Sequence, residues 1–323
     1  MTEEGQKMET PVYVFTGLLE SGKTTLIYEV AGEEDFLEPG TTVLVQCEEG
    51  EVPLSEEFLR KSSIVLLTAE EPEDLNEMLW KRIERDYQPT QVLVEYNGMW
   101  ETEKLFDCGM PEDWYIGGIY TTINAETADM YMTNMRKMFM EPLKASNLVI
   151  INRCDEDIDK IKFRRTIKGL NPQCQLAFES RDGEMMENAV DEMPFDYRGD
   201  VVEIDDMDYG LWYVDAIEHP SRYMGKEIRF TAKFCASQEP GKDYFIPGRH
   251  VMTCCEDDIQ FLGFICYFQK GQTEGFQHED WVKVKVDFDF GEHEMYGYDE
   301  GPILSLVSIE PGEKPQQELV TFT

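Results

Sequence analysis

The sequence predicts two domains in series: an α/β domain with a doubly wound, mostly parallel sheet, then a small all-β barrel of OB type. Three observations carry this. The first two-thirds of the chain alternates short, nearly continuous apolar runs with stretches whose apolar residues recur at three and four, the pattern of buried parallel strands covered on both faces by helices. Beyond position 208 the period drops to two, as in WVKVKVDFDF, with Gly and Pro between the runs (PGKD, GQTEG, GEHEMYG), which suits about five strands closing into a small barrel. At 323 residues the chain is also longer than one ordinary core.

The expected strands of the first domain are 11–16 (PVYVFT), 42–47 (TVLVQC), 63–68, 91–96 (QVLVEY), 116–123, 147–152 and 174–178. Helices are expected around 23–32, 73–86, 125–143 and 156–169; Leu75, Met78, Leu79 and Ile83 make one apolar stripe. The acidic, Gly- and Pro-bearing segment 180–206 reads as a short helix plus linker. A short helix at 208–217 precedes β runs at 226–236, 244–254, 260–269, 281–290 and 302–309. The expected organisation is a flexible N-terminus (1–10), a nucleotide-binding domain (11–195), a linker (196–207), an OB-like domain (208–315) and a tail (316–323).

Composition bounds the partners. The chain has 66 acidic and 29 basic residues, a formal charge of −37. Such a polyanion repels nucleic-acid phosphates and anionic lipid, so nucleic acid is excluded as a general partner. The N-terminal MTEEGQKMET lacks the pattern of a signal peptide, and no apolar run approaches membrane-span length. The expectation is a cytoplasmic protein with no membrane insertion. Eight Cys do not make a disulfide framework in a chain this long.

The chemistry begins at 17–25, GLLESGKTT, which follows an expected strand and precedes an expected helix. It satisfies G-x-x-x-x-G-K-[ST], the P-loop. Gly17 and Gly22 let the backbone curl so that its N–H groups face a phosphate, and the helix start adds its positive end. Lys23 reaches the β- and γ-phosphates and Thr24 offers its hydroxyl to Mg²⁺. Glu20, Ser21 and Thr25 complete the contact set. VLVEYNG at 92–98 ends a strand in Glu95, a carboxylate placed to hold Mg²⁺ or its water shell, and Gly98 leaves room for close approach. LVIINRCD at 148–155 suits guanine: Asp155 can accept from the ring N1–H and 2-amino group, Asn152 braces the base, and the Arg153 stem lies along it.

With these motifs in order, residues 10–180 resemble the CobW-type GTPases, relatives of HypB and UreG. EYNG at 95–98 resembles the family's E-T-x-G, NRCD at 152–155 its N-K-x-D, and LNPQCQLAF at 170–178 its Leu-Asn-Pro strand. The resemblance implies a Mg²⁺-dependent GTPase linked to metal delivery, a metallochaperone or switch in metal-ion homeostasis. Three departures stand out. The family's C-x-C-C motif is reduced to QCEEGEV, leaving Cys47 beside Glu48 and Glu49, read as a surface acidic turn. Glu20 replaces a small loop residue. Asn124 stands where the family has an aspartate. Residues 208–314 resemble the YcgQ-type domain found beside predicted permeases, through HPSRYMGKEIRFTAKF, RHVMTCCEDD and WVKVKVDFDF.

In that second domain Cys254, Cys255 and His250 are candidate transition-metal ligands, with Zn²⁺ the expected ion. Adjacent strand residues face opposite ways, so a loop or bulge is needed for both thiolates to share an ion. The leading reading is a slow Mg²⁺-dependent GTPase using Lys23 and Glu95, with a metalloprotein client, a permease or a second copy of the chain as partner. Two others stay open: an ATP-dependent small-molecule kinase, and a non-catalytic, nucleotide-regulated binding module.

Overall fold

The computed structural model of the chain describes residues 9–33, 36–48, 50, 53–187, 193–237, 243–252, 259–297, 300–316 and 318–320. It divides into two compact units, Met1–Lys160 with Gln173–Asn188, and Ile161–Pro172 with Ala189–Thr323.

The first unit is built on β1 (Thr10–Thr16), α1 (Lys23–Val30), β2 (Thr42–Gln46), α2 (Glu56–Lys61), β3 (Ile64–Thr68), α3 (Glu77–Tyr87), β4 (Gln91–Glu95), α4 (Glu103–Phe106), β5 (Trp114–Asn124), α5 (Ala125–Asn134), α6 (Arg136–Met140) and β6 (Leu148–Cys154). After α7 (Lys160–Leu170) come β7 (Gln175–Ser180) and β8 (Met185–Met186). The sheet runs β3-β2-β4-β1-β5-β6-β7-β8. Its pairings are parallel from β3 to β7, and only β8 is antiparallel. This is the doubly wound, mostly parallel sheet that the apolar runs predict.

Alternation along the strands splits the core in two. Val12, Val14, Val43, Val45, Val92 and Val94 pack with Trp80 and Ile83 of α3. Phe15, Leu44, Ile64 and Leu93 pack with Ile27 of α1 and Phe58 of α2 on the other face. Because both faces are covered, neither set of side chains can be polar, which is why these strands read as continuous apolar runs. At the centre of the sheet β1 lies between β4 and β5, so the loop after β1 opens beside the carboxyl ends of its neighbours, where ligands bind in such sheets.

Local signals explain the helix boundaries. Asn76 caps α3, accepting from Met78 N and Leu79 N at 3.0 and 3.1 Å. The single helix expected at 125–143 is instead α5 and α6 separated at Met135, followed by a 3-10 turn at Pro142–Ala145. Pro142 cannot continue a helix.

The second unit carries β9 (Val201–Glu203), α8 (Tyr209–Glu218), β10 (Glu227–Ala236), β11 (Tyr244–Met252), β12 (Ile259–Gly263), β13 (Ile265–Tyr267), β14 (Trp281–Glu292) and β15 (Glu300–Pro311). The order β11-β13-β15-β14-β10, closed by β10 on β11, makes a five-stranded barrel. The β13–β15 pair is parallel and the remaining ring pairs are antiparallel. Val282, Val284, Val286 and Phe288 fill it from alternate positions, which is the structural origin of WVKVKVDFDF.

Three details depart from expectation. The run 260–269 is two strands: β12 pairs with β11 alone, while β13 joins both β11 and β15. Within 180–206, β8 and β9 occupy described parts where a helix and linker were expected; β9 pairs in parallel with β10, and Val202 is fully buried. Val320, in the stretch assigned to a tail, is buried and bridges Val251.

Polar networks lock the second unit. Asp215 on α8 is 1 % exposed and accepts from Arg222 Nη1 and Tyr223 Oη, both at 2.6 Å. Arg164 and Lys168 of α7 both pair with Glu218 of α8, the latter at 2.6 Å. No helix among the described residues is long and apolar enough to cross a membrane.

Candidate nucleotide site

The loop between β1 and α1 adopts the curl that its glycines permit. Gly17 and Gly22 have φ of +131° and +103°, and Glu20, between them, sits at +61°. A Cβ on Gly17 would meet Thr122 O at 2.3 Å, and one on Gly22 would meet Asn152 Nδ2 at 2.6 Å. Both positions require glycine for space as well as for backbone conformation. Gly98, after β4, is pressed onto the same loop: a Cβ there would stand 2.2 Å from Gly17 O and 2.4 Å from Gly17 C. The room that Gly98 leaves, expected to let a loop approach the γ-phosphate, is taken here by the Gly17–Leu18 backbone.

Around this loop the predicted residues converge. Lys23 is 3 % exposed, and its ammonium donates to Gly17 O at 2.8 Å and Leu18 O at 3.1 Å. Thr24 donates its hydroxyl to Glu95 Oε1, and Gln46 Nε2 donates to Glu95 Oε2 at 2.8 Å. Asn152 Nδ2 donates to Ser21 O at 2.7 Å, Ser21 Oγ is 2.7 Å from Thr122 Oγ1, and Arg153 Nη1 donates to Glu20 O at 3.0 Å. Glu20, Gly22, Lys23, Thr24, Thr25, Glu48, Gly50, Glu95 and Arg153 line a cleft that opens to solvent. Asn124 has a different task, capping α5 by accepting from Glu126 N at 3.0 Å.

Two observations fit this cleft to a nucleotide. Asn152, which holds the loop through Ser21 O, has its Oδ1 buried with no hydrogen-bond partner among the described residues, a costly state for an amide oxygen until a water or a ligand supplies a donor. The donor set beside Lys23, a hydroxyl and a carboxylate, is the hard oxygen chemistry that suits Mg²⁺. Asp155 is placed differently from Asn152. It is 58 % exposed and takes a two-point ion pair from Arg181, Nε to Oδ1 at 2.7 Å and Nη2 to Oδ2 at 3.0 Å, while Arg181 also reaches Glu126 at 3.0 Å.

Glu48 is the residue the sequence reading misplaced. In place of a surface acidic turn, its carboxylate is 11 % exposed and ion-paired with Lys23. Only tertiary placement brings these groups together, so no local signal marks the pair. Glu49 lies outside the described residues. The Cys47 thiol is buried and its pKa is raised, chiefly by desolvation, which opposes the thiolate that a soft metal needs. Beyond Glu48, Tyr28 Oη donates to Pro53 O at 2.9 Å and accepts from Ser55 N at 2.6 Å, tying α1 to the chain that follows.

Burial raises the pKa of Glu95; the hydrogen bonds from Thr24 and Gln46 and the charge of Lys23 oppose this, and Glu48 adds to it. The sign has two consequences. A carboxyl with a raised folded-state pKa contributes stability that is full below its unfolded pKa and is lost as pH rises through the folded one. Cation binding runs oppositely, because it needs the ionised form. We expect the gain in nucleotide affinity from Mg²⁺ to fade, as pH drops, at a pH above the ordinary carboxylate range. Titrations across pH in wild type and Glu95→Gln check this; a variant with an unchanged profile contradicts it.

The second predicted centre is not assembled among the described residues. Cys254 and Cys255 lie outside them. His250 on β11 stands edge-on to Phe261 of β12, ring centroids 5.1 Å apart. Neighbouring Arg249 is buried, its guanidinium over the rings of Tyr209 and Trp281. Among the described residues no group of three or more His, Cys, Asp or Glu is placed to hold a metal ion.

Residues 11–177 match the family described as CobW/HypB/UreG, nucleotide-binding domain, and residues 179–321 match the DUF1980 C-terminal domain. No curated protein matches the chain. Among solved structures, zinc-bound YjiA GTPase from E. coli is 15 % identical, with 79 % of this chain and 89 % of that one covered and a TM-score of 0.42. Hydrogenase maturation factor HypB from Archaeoglobus fulgidus is 16 % identical over 55 % of this chain and 84 % of that one, with a TM-score of 0.38.

Proposed function

The chain belongs to the CobW/HypB/UreG nucleotide-binding family through residues 11–177, and from that premise we propose that it binds GTP with Mg²⁺ and hydrolyses it slowly to GDP and phosphate. The observation that carries the reading is the buried meeting of Lys23, Thr24, Glu95 and Asn152 at one loop, with Asn152 Oδ1 lacking a partner.

In this reading Lys23 binds the β- and γ-phosphates, and the Thr24 hydroxyl and the Glu95 carboxylate hold the cation. Mg²⁺ held there would supply positive charge to the phosphate oxygens; hydrolysis itself is attack of water on the γ-phosphorus with cleavage of its bond to the bridging β–γ oxygen, leaving GDP and phosphate. Both Glu95 oxygens already accept hydrogen bonds, which favours holding the cation over taking a proton from water. One N–H of Arg153 is taken by the Glu20 carbonyl, and turnover without an arginine supplied to the phosphates is slow.

Guanine selection is assigned to Asp155, which Arg181 holds by two bonds. A carboxylate reading two ring donors contributes about 2–3 kcal/mol, or roughly 30- to 150-fold. Asp155→Ala is therefore expected to lower GTP affinity by that factor and leave ATP affinity unchanged. Calorimetry with each nucleotide and Mg²⁺ tests this, and tighter binding of ATP than GTP by wild type overturns the guanine reading. The metal-handling role implied by the family resemblance has no geometric carrier among the described residues and is not part of this proposal.

A further inference from the structure

Lys23 has three N–H bonds, and the structure accounts for three acceptors: Gly17 O, Leu18 O and the carboxylate of Glu48. The ammonium is 3 % exposed and the carboxylate 11 %, so neither group is screened as a surface pair would be. An incoming β- or γ-phosphate oxygen must therefore take its place on Lys23 from an acceptor already there. The two carbonyls belong to the loop itself. Glu48 is the mobile competitor by chemistry: an anionic oxygen on a flexible side chain, carrying the charge sign of the phosphate.

We propose that Glu48 is an internal stand-in for the nucleotide's terminal phosphates, an autoinhibitory ligand on Lys23 that must be displaced before a di- or triphosphate seats. The proposal rests on the reading of this cleft as the nucleotide site and concerns what regulates it. Its neighbours support the role. Gln46, two residues before Glu48, donates to Glu95, which accepts from Thr24. Lys23 and Thr24, the two side chains that a Mg²⁺–triphosphate needs, are thus both held by carboxylates, from one end of β2 and from β4. Displacing Glu48 frees the lysine and leaves a carboxylate to find water or a cation. Glu48 pairs with the lysine that serves the phosphates, so the competition is blind to whether the base is guanine or adenine.

The test is nucleotide affinity of the full chain, wild type against Glu48→Gln and Glu48→Asp, with GMP, GDP and GTP in Mg²⁺. Glutamine keeps the shape without the charge, and aspartate keeps the charge but retracts it by one methylene. Both variants are expected to bind GDP and GTP more tightly than wild type, about tenfold for Glu48→Gln and less for Glu48→Asp. GMP, which lacks the phosphates that meet Lys23, should change little. Unchanged or weaker GDP and GTP binding in the variants overturns the proposal and makes Glu48 a helper of nucleotide binding or a bystander. Should Glu48→Gln fail to fold, Glu48→Asp alone decides by the same criterion. If wild type binds no nucleotide at all, the reading of the site fails instead, which the wild-type titration reports separately.

Discussion

Lys23→Ala is expected to abolish measurable binding of Mg²⁺–GTP, weakening it about 100-fold or more. The side chain is buried at the mouth of the loop, where a charge-assisted bond to phosphate contributes roughly 1.5–3 kcal/mol each, and two such bonds are lost. The same change leaves Glu48 as a buried carboxylate without its cation, a state that is costly in itself. The apo protein should therefore lose stability as well, and Glu48→Gln in the same chain should restore part of that stability without restoring binding. Calorimetry reads the first effect and thermal unfolding the second. Near-normal GTP affinity in Lys23→Ala would remove the lysine from the site.

Gly98→Ala should be nearly as severe, although the residue touches no predicted ligand atom. The added methyl would lie 2.2 Å from Gly17 O, 2.4 Å from Gly17 C and 3.0 Å from Leu18 N. These are backbone atoms, which cannot rotate aside as a side chain can. Either the loop after β4 lifts or the phosphate loop shifts, and overpacking of this kind costs about 1–3 kcal/mol. We expect at least a tenfold loss of nucleotide affinity together with a lower unfolding midpoint. Gly183→Ala is the matched comparison, since nothing lies within 4 Å of a Cβ there; its φ of +81° carries backbone strain, so it should cost stability while leaving affinity alone. Equal affinity losses in the two variants would assign the Gly98 effect to general destabilisation.

The parts of this protein that were legible in its sequence are those fixed by local spacing. A parallel strand covered on both faces must be apolar throughout, so PVYVFT, TVLVQC and QVLVEY announced β1, β2 and β4. The phosphate loop was legible because its curl needs Gly17 and Gly22 at set positions, and their φ values are those that glycine allows. The barrel's strands were legible from period two. The barrel itself was expected from their number, but the division of 260–269 into β12 and β13 was not, because which neighbours a strand pairs with depends on tilt and stagger around the ring. The split of the 125–143 helix at Met135 had no local mark; Pro142 marks only where α6 gives way to the 3-10 turn. The pairs Lys23–Glu48 and Asp155–Arg181 had none: 25 and 26 residues apart, they are visible only when the sheet brings its strand ends together.

The tie between Gln46 and Glu95 has a consequence for concentration. Gln46 is anchored at Glu95, so Glu48, two residues on, is tethered to the site by a short stretch of its own chain. A ligand on so short a tether acts at an effective concentration on the order of millimolar or above, whatever the amount of protein in solution. Dilution weakens every free competitor for Lys23 and leaves this one untouched. The nucleotide level that half-fills the site would then be its intrinsic dissociation constant multiplied by one fixed factor, about ten by the affinity change expected for Glu48→Gln.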